Sequence, residues 1–132
     1  MTRLTRVLPM AAAALMCACS KPAPESTTPK APLYDNLGSY HHPITTKSPE
    51  AQKYFDQGLT LSYAFNHAEA IRAFRKAQAL DPKCAMCFWG EAWALGPNIN
   101  VPMDAKANAP ALAAAERARK LAPRACGPAR SR

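Results

Sequence analysis

Apolar and small residues recur every three or four positions from Pro49 onward, the period of helices with one buried face. Tyr54, Gly58, Leu61 and Ala64 form the first stripe; Ala70, Ile71, Phe74, Ala77 and Leu80 form the second. Ser48-Pro49-Glu50 predicts the first start: a hydroxyl cap, a proline where no amide partner is lost, then an acid near the positive helix end. Asn66-His67-Ala68-Glu69 predicts the second as a variant capping box, and Asp81-Pro82 stops it. Phe88, Trp89, Ala92 and Leu95 predict a third helix ending at Gly96-Pro97, with Trp93 on its flank. Ala111, Leu112, Ala115, Ala118 and Leu121 predict a fourth, starting at Asp104 or Asn108 and closed by Pro123. The fold class expected is all-α.

Ala51 to Cys84 spans 34 residues and resembles one tetratricopeptide repeat, a helix–turn–helix unit of that period. Tyr54, Gly58, Leu61, Ala70, Phe74, Ala77 and Pro82 stand at the motif's large, small and proline places; Gln57 departs from its usual leucine. The resemblance implies a solenoid of about two repeats, 50–84 and 85–123. Phe88, Ala92, Leu95, Ala111, Ala115, Ala118 and Leu121 would pack the second. Leu95 and Ala111 are 16 steps apart where Leu61 and Ala70 are 9 apart, so the second repeat carries seven extra residues between its helices. Insertions of this kind go to one face, often the binding face, which points to Pro97–Pro102 with Asn98 and Asn100.

Residues 1–19 read as an export signal, with Arg3 and Arg6 ahead of a short apolar run. Ala18-Cys19 at its end resembles the lipobox of bacterial lipoproteins. That implies acylation of Cys19 and a lipid anchor in the cell envelope, on the periplasmic side or in the outer membrane. Residues 20–32 (SKPAPESTTPKAP) are expected to be a disordered tether, and 33–49 an irregular N-terminal cover. CAMCFWGEAWALGPNIN, with YHHP and FNHAEA, also resembles larger exported bacterial repeat proteins that continue with many more repeats. The end, 124–132, has no helical pattern and reads as a basic, disordered tail, like the end of a truncated frame. A fragment of a larger protein, with no function of its own, is one reading of the chain.

Charge narrows the partners. The chain carries 17 basic and 9 acidic residues, net +8. Two basic residues sit in the signal and six between Arg117 and Arg132, where there is no acid. The rest is neutral, so no nucleic-acid footprint is expected. Glu50, Asp56, Glu69, Asp81, Glu91, Asp104 and Glu116 all suit caps or wet helix faces. With no nucleophile–base set and no phosphate loop, an enzyme is not expected.

The leading expectation is a protein- or peptide-binding scaffold. On the family resemblance the groove belongs to the first helix of each repeat: Lys53, Gln57 and Thr60, then Trp89 and Trp93. Self-association through an exposed repeat end is a further expectation, because two repeats leave an apolar flank. Cys84 and Cys87 carry the alternative class. Their i, i+3 spacing at a helix start allows a disulfide, two buried thiols, or metal or thiol-redox work with His41, His42 or His67. No cofactor is expected on the first reading; a metal ion belongs to the second.

Overall fold

The computed structural model describes residues 31–122, and among these every regular element is helical. The Ser48 hydroxyl accepts from the Ala51 amide (3.1 Å) and starts α1, Pro49–Tyr63. Asn66 Oδ1 accepts from the Glu69 amide (3.4 Å) and starts α2, His67–Leu80. The reciprocal arm of the capping box is not made: the Glu69 carboxylate pairs with Arg72 one turn on. Cys84 sulfur accepts from the Cys87 amide (3.1 Å) at the start of α3, Ala85–Leu95. Asp104 caps a short 3-10 turn, Ala105–Ala107, by accepting from the Lys106 amide (2.9 Å), and α4 follows as Asn108–Leu121.

Short turns fold α2 back on α1 and set α3 against α2, while α4 packs on α3. The core gathers around Phe74, which is fully buried, with the Phe55 ring 5.6 Å away at 58°. Two glycines make this closeness feasible. A β-carbon at Gly58 of α1 would lie 2.6 Å from the Phe74 ring, and one at Gly90 of α3 closer still. Helices α1, α2 and α3 therefore meet on one aromatic ring. Tyr54, Leu61, Ala70 and Ala77 complete the interior.

Several residues depart from the sequence pattern. On α4 the buried stripe is Ala111, Ala114 and Ala118; Ala115 is exposed and Leu112 is 62 % exposed. Alanines occur on every side of this helix, so the pattern carried no size contrast to fix its rotation. Pro82 ends α2 but is exposed, and Ala64 is exposed beyond the end of α1. Glu91 is not on a wet face. It is 8 % exposed, and it accepts from Arg75 Nε (2.6 Å) and Gln78 Nε2 (2.7 Å), stitching α3 to α2.

The expected tether also ends earlier than its composition implied. Ala31 is buried, and its carbonyl accepts from the Tyr54 hydroxyl (3.0 Å). The expected signal segment with Cys19, residues 20–30, and the basic end from Pro123 with Cys126 lie outside the described residues. Among the described residues no helix is long and apolar enough to cross a membrane.

Asp81 ties the end of α2 to the approach to α1. Its carboxylate accepts from the Thr46 hydroxyl (2.6 Å) and from the amides of Lys83 (3.0 Å) and Lys47 (3.4 Å). The Thr46 hydrogen bond, more than the others, holds the Asp81 carboxyl below its ordinary range. The unfolded chain therefore takes up this proton at a higher pH than the folded one, and stability falls as acid is added. The expected result is a melting temperature that drops as pH goes below about 4. Thr46→Val should flatten that slope in a pH series of thermal melts, and an unchanged slope would remove Asp81 from the account.

Candidate functional site

Of the three α1 residues assigned to a partner, Lys53, Gln57 and Thr60, the middle one is engaged by the chain itself. Gln57 is buried, and its amide grips the backbone of the N-terminal segment at two points: Nε2 donates to Pro32 O (2.8 Å), and Oε1 accepts from Tyr34 N (2.8 Å). Gln52 repeats the grip, donating to His42 O (2.8 Å) and accepting from Ile44 N (3.0 Å). Asp56 lies between them and accepts from His42 N (3.0 Å) and His41 Nδ1 (2.8 Å). Leu37 and Ile44 pack half-buried on the core.

This corrects the expectation that Gln57 reads a partner: it holds residues 32–34. Lys53 stays exposed. With Thr60 it borders a cavity of about 180 Å³ between α1 and Tyr34 and Tyr40.

The histidines and cysteines do not come together. Among the described residues no group of three or more His, Cys, Asp or Glu side chains could hold a metal ion. His41 is paired with Asp56, and the His42 ring lies 6.2 Å from Phe55. His67 sits at the start of α2. Cys84 and Cys87 are joined to each other and fully buried. A disulfide with no exposed sulfur offers nothing for an incoming thiolate to attack.

The surface that remains open is aromatic. Trp89 and Trp93, one turn apart on α3, stack with centroids 5.6 Å apart at 11°, and the Tyr63 ring meets Trp93 edge-on at 5.5 Å. Phe65 follows and sets its ring against the His67 imidazole. Trp93 is 39 % exposed, Trp89 43 %, Phe65 56 % and Tyr63 67 %. A contiguous apolar patch of this kind marks an interaction surface more often than isolated exposed residues do. Trp89 therefore lies on the surface.

The turn beneath this patch is built at a cost. The Asn66 amide donates to Leu61 O (2.8 Å) and the Phe65 amide to Ser62 O (3.1 Å), the two bonds of a Schellman ending. That ending needs a left-handed residue, usually glycine. Here Phe65 takes it at φ 61°, which costs about 1–2 kcal/mol in a residue with a β-carbon.

Two polar side chains next to it are unpaired. Ser62 is 4 % exposed and its hydroxyl has no partner; neither ring nitrogen of His67, both also shielded, has one. Each buried polar group left unpaired costs about 1–3 kcal/mol. Ser62, Phe65, His67 and Trp93 line a cavity of about 220 Å³ that opens towards Pro97 and Asn98.

Asn98 itself is committed to its loop: its side chain accepts from the amides of Asn100 (2.9 Å) and Val101 (3.1 Å). Asn100 is exposed, and Ile99, 90 % exposed, extends the apolar surface along the same loop. Tyr63 and Phe65 were legible only as large aromatics off the packing stripe beside a helix cap. The unpaired Ser62 and His67 leave no trace in a sequence.

These elements define a small all-α domain with an open aromatic surface at one turn. No family model, no curated protein and no solved structure matches the chain.

Proposed function

We propose that this chain is a tetratricopeptide-like interaction module, exported and held at the cell envelope through Cys19, that binds a protein or peptide without catalysing a reaction. The observation that carries the reading is the exposed cluster of Tyr63, Phe65, Trp89 and Trp93. Two successive helix pairs, α1 on α2 and α3 on α4, are what a two-repeat reading calls for, and the long connection between α3 and α4 borders the cluster at Pro97 and Asn98. Large rigid aromatics supply contact area at little cost in side-chain entropy, which is why they dominate binding energies at protein surfaces.

The test is selection of a displayed random-peptide library on the chain, with Trp93→Ala as counter-target. A consensus that binds the parent and loses at least about tenfold in affinity on Trp93→Ala, a change of about 1.4 kcal/mol, is the expected result. No enrichment, or enrichment indifferent to Trp93, overturns the reading.

A further inference from the structure

We infer that the loop between α3 and α4 dips into the surface of a lipid bilayer, with Ile99 and Val101 as the inserted side chains. This rests on the envelope anchor proposed above and adds a second contact with the same surface. The loop meets the α1–α2 turn at one end of the domain, where Pro97 and Asn98 stand beside Phe65 and Trp93. No Asp, Glu, Lys or Arg occurs from Gln57 to Ala68 or from Ala92 to Met103. The turn at the other end of α2 holds Asp81 and Lys83, with Lys47 against it. Tyr63, Phe65, Trp89, Trp93, Ile99 and Val101 are all exposed at the first end. The domain therefore has one charged end and one apolar end.

The backbone of the loop favours lipid over a protein partner. In a bilayer an unbonded amide is costly, because no water is there to pair it. Pro97 and Pro102 have no amide hydrogen. The Asn98 amide donates to Val101 O (3.1 Å), and the amides of Asn100 (2.9 Å) and Val101 (3.1 Å) donate to Asn98 Oδ1. Only the Ile99 amide in this loop lacks a partner among the described residues. A protein would find almost no backbone donor here to bond, whereas lipid requires that condition. Ile99 is 90 % exposed and Val101 57 %, so acyl chains would cover apolar surface that the described chain leaves in water. Beside them, Trp and Tyr rings suit the headgroup level, apolar in body and polar at the tip.

The covalent path to the anchor allows both contacts at once. Residues 20–30 separate Cys19 from Ala31, and a chain of that length reaches at most about 40 Å. Ala31 is held by Tyr54, nine residues before Tyr63 on α1, which is about 13 Å along the helix. An anchored domain thus presents its apolar end to the bilayer at high effective concentration, and a shallow, weak insertion is enough to fix its orientation.

The experiment is a titration of the unacylated chain from residue 19 onward with phosphatidylcholine vesicles, followed by tryptophan emission. Trp89 and Trp93 are the two tryptophans of the chain, and both stand at this end. The expected result is a saturable blue shift at millimolar lipid that added salt leaves unchanged, because no charge pair holds the contact. Ile99→Asp should weaken it at least about tenfold, since one aliphatic side chain then stays in water, while Ile99→Leu retains it. Thermal melts of both variants should match the parent, as expected for so exposed a side chain.

No shift by the parent, or equal partition of the parent and Ile99→Asp, overturns the inference. A shift seen only with phosphatidylglycerol vesicles and abolished by salt also overturns it, because the basic end from Arg117 would then be the contact. Loss of a library-selected peptide on Ile99→Asp, with no partition into vesicles, would give the loop to the peptide instead. The anchor is read separately, by the mass of the chain recovered from a bacterial envelope. A bare Cys19 sinks the anchor and leaves the vesicle result standing; an acylated Cys19 with no partition sinks this inference alone.

Discussion

Gly90→Ala is expected to destabilise the domain by about 2 kcal/mol even though alanine is the better helix former. Propensity alone would favour the change by about 1 kcal/mol. Against it stands the Phe74 ring, which ordinary carbon contacts would keep at about 3.5–4.0 Å from the new methyl group. At Gly58 the same methyl would sit 2.6 Å from that ring, and at Gly90 nearer. The ring must retreat by about 1 Å, and it is confined: the backbone of Gly58 approaches the same ring atoms and Phe55 lies against it. Overpacking of this kind costs about 1–3 kcal/mol and sometimes more, so the clash wins.

In a domain of this size the loss corresponds to a fall in melting temperature of roughly 4–8 °C per kcal/mol, read by circular dichroism. Gly58→Ala should behave alike. Pairing Gly90→Ala with Phe74→Leu should recover part of the loss, because the two positions share one contact. A melt of Gly90→Ala indistinguishable from the parent would show that the three helices do not close on Phe74.

The second large effect is expected at the disulfide. Cross-linking Cys84 and Cys87 closes a four-residue loop, for which the chain-entropy relation gives about 2 kcal/mol. Both residues are fully buried, so the replacement decides what is added to that loss. Cys84→Ala with Cys87→Ala should lose about 2 kcal/mol from the missing link. The serine pair should lose more, because each hydroxyl enters an apolar interior and one left unpaired costs about 1–3 kcal/mol. Urea denaturation of the three proteins, with and without reductant, separates the contributions. Reductant should shift the parent towards the alanine pair and leave that pair unmoved. A parent insensitive to reductant would mean that the link contributes nothing to stability.

Local chemistry made the helices legible, and contacts distant in sequence explain what was not. Ser48, Asn66 and Asp81-Pro82 bound α1 and α2 because caps and prolines act within a few residues. On α4 Ala111 and Ala118 face inward as expected, but Ala114 joins them in place of Leu112 and Ala115, because its alanines look the same from every side. Gln52, Asp56 and Gln57 escaped because their partners are backbone atoms of an irregular segment, a relation with no period to detect. Gly90 hides in an aromatic run where nothing announces a close approach; its role needs Phe74, sixteen positions away, to be seen beside it. The aromatic patch was half visible: Trp89 and Trp93 stood out by their spacing, whereas Tyr63 and Phe65 count only once α1 turns back and brings them to Trp93.

The grip of α1 on residues 31–46 has a mechanical side. If the chain is held at a membrane through its N-terminal end, any load reaches the domain through Ala31. The attachments there are side-chain hydrogen bonds strung out along the segment, with Leu37 and Ile44 packed on the core among them: Tyr54 to residue 31, Gln57 to 32 and 34, Asp56 and Gln52 to 42–44, then Asp81 to Thr46. They would give way one after another, as a zip opens, rather than sharing the load as parallel rungs do. Each bond would load α1 only up to the force at which it parts, so the segment would act as a fuse between such an anchor and the core.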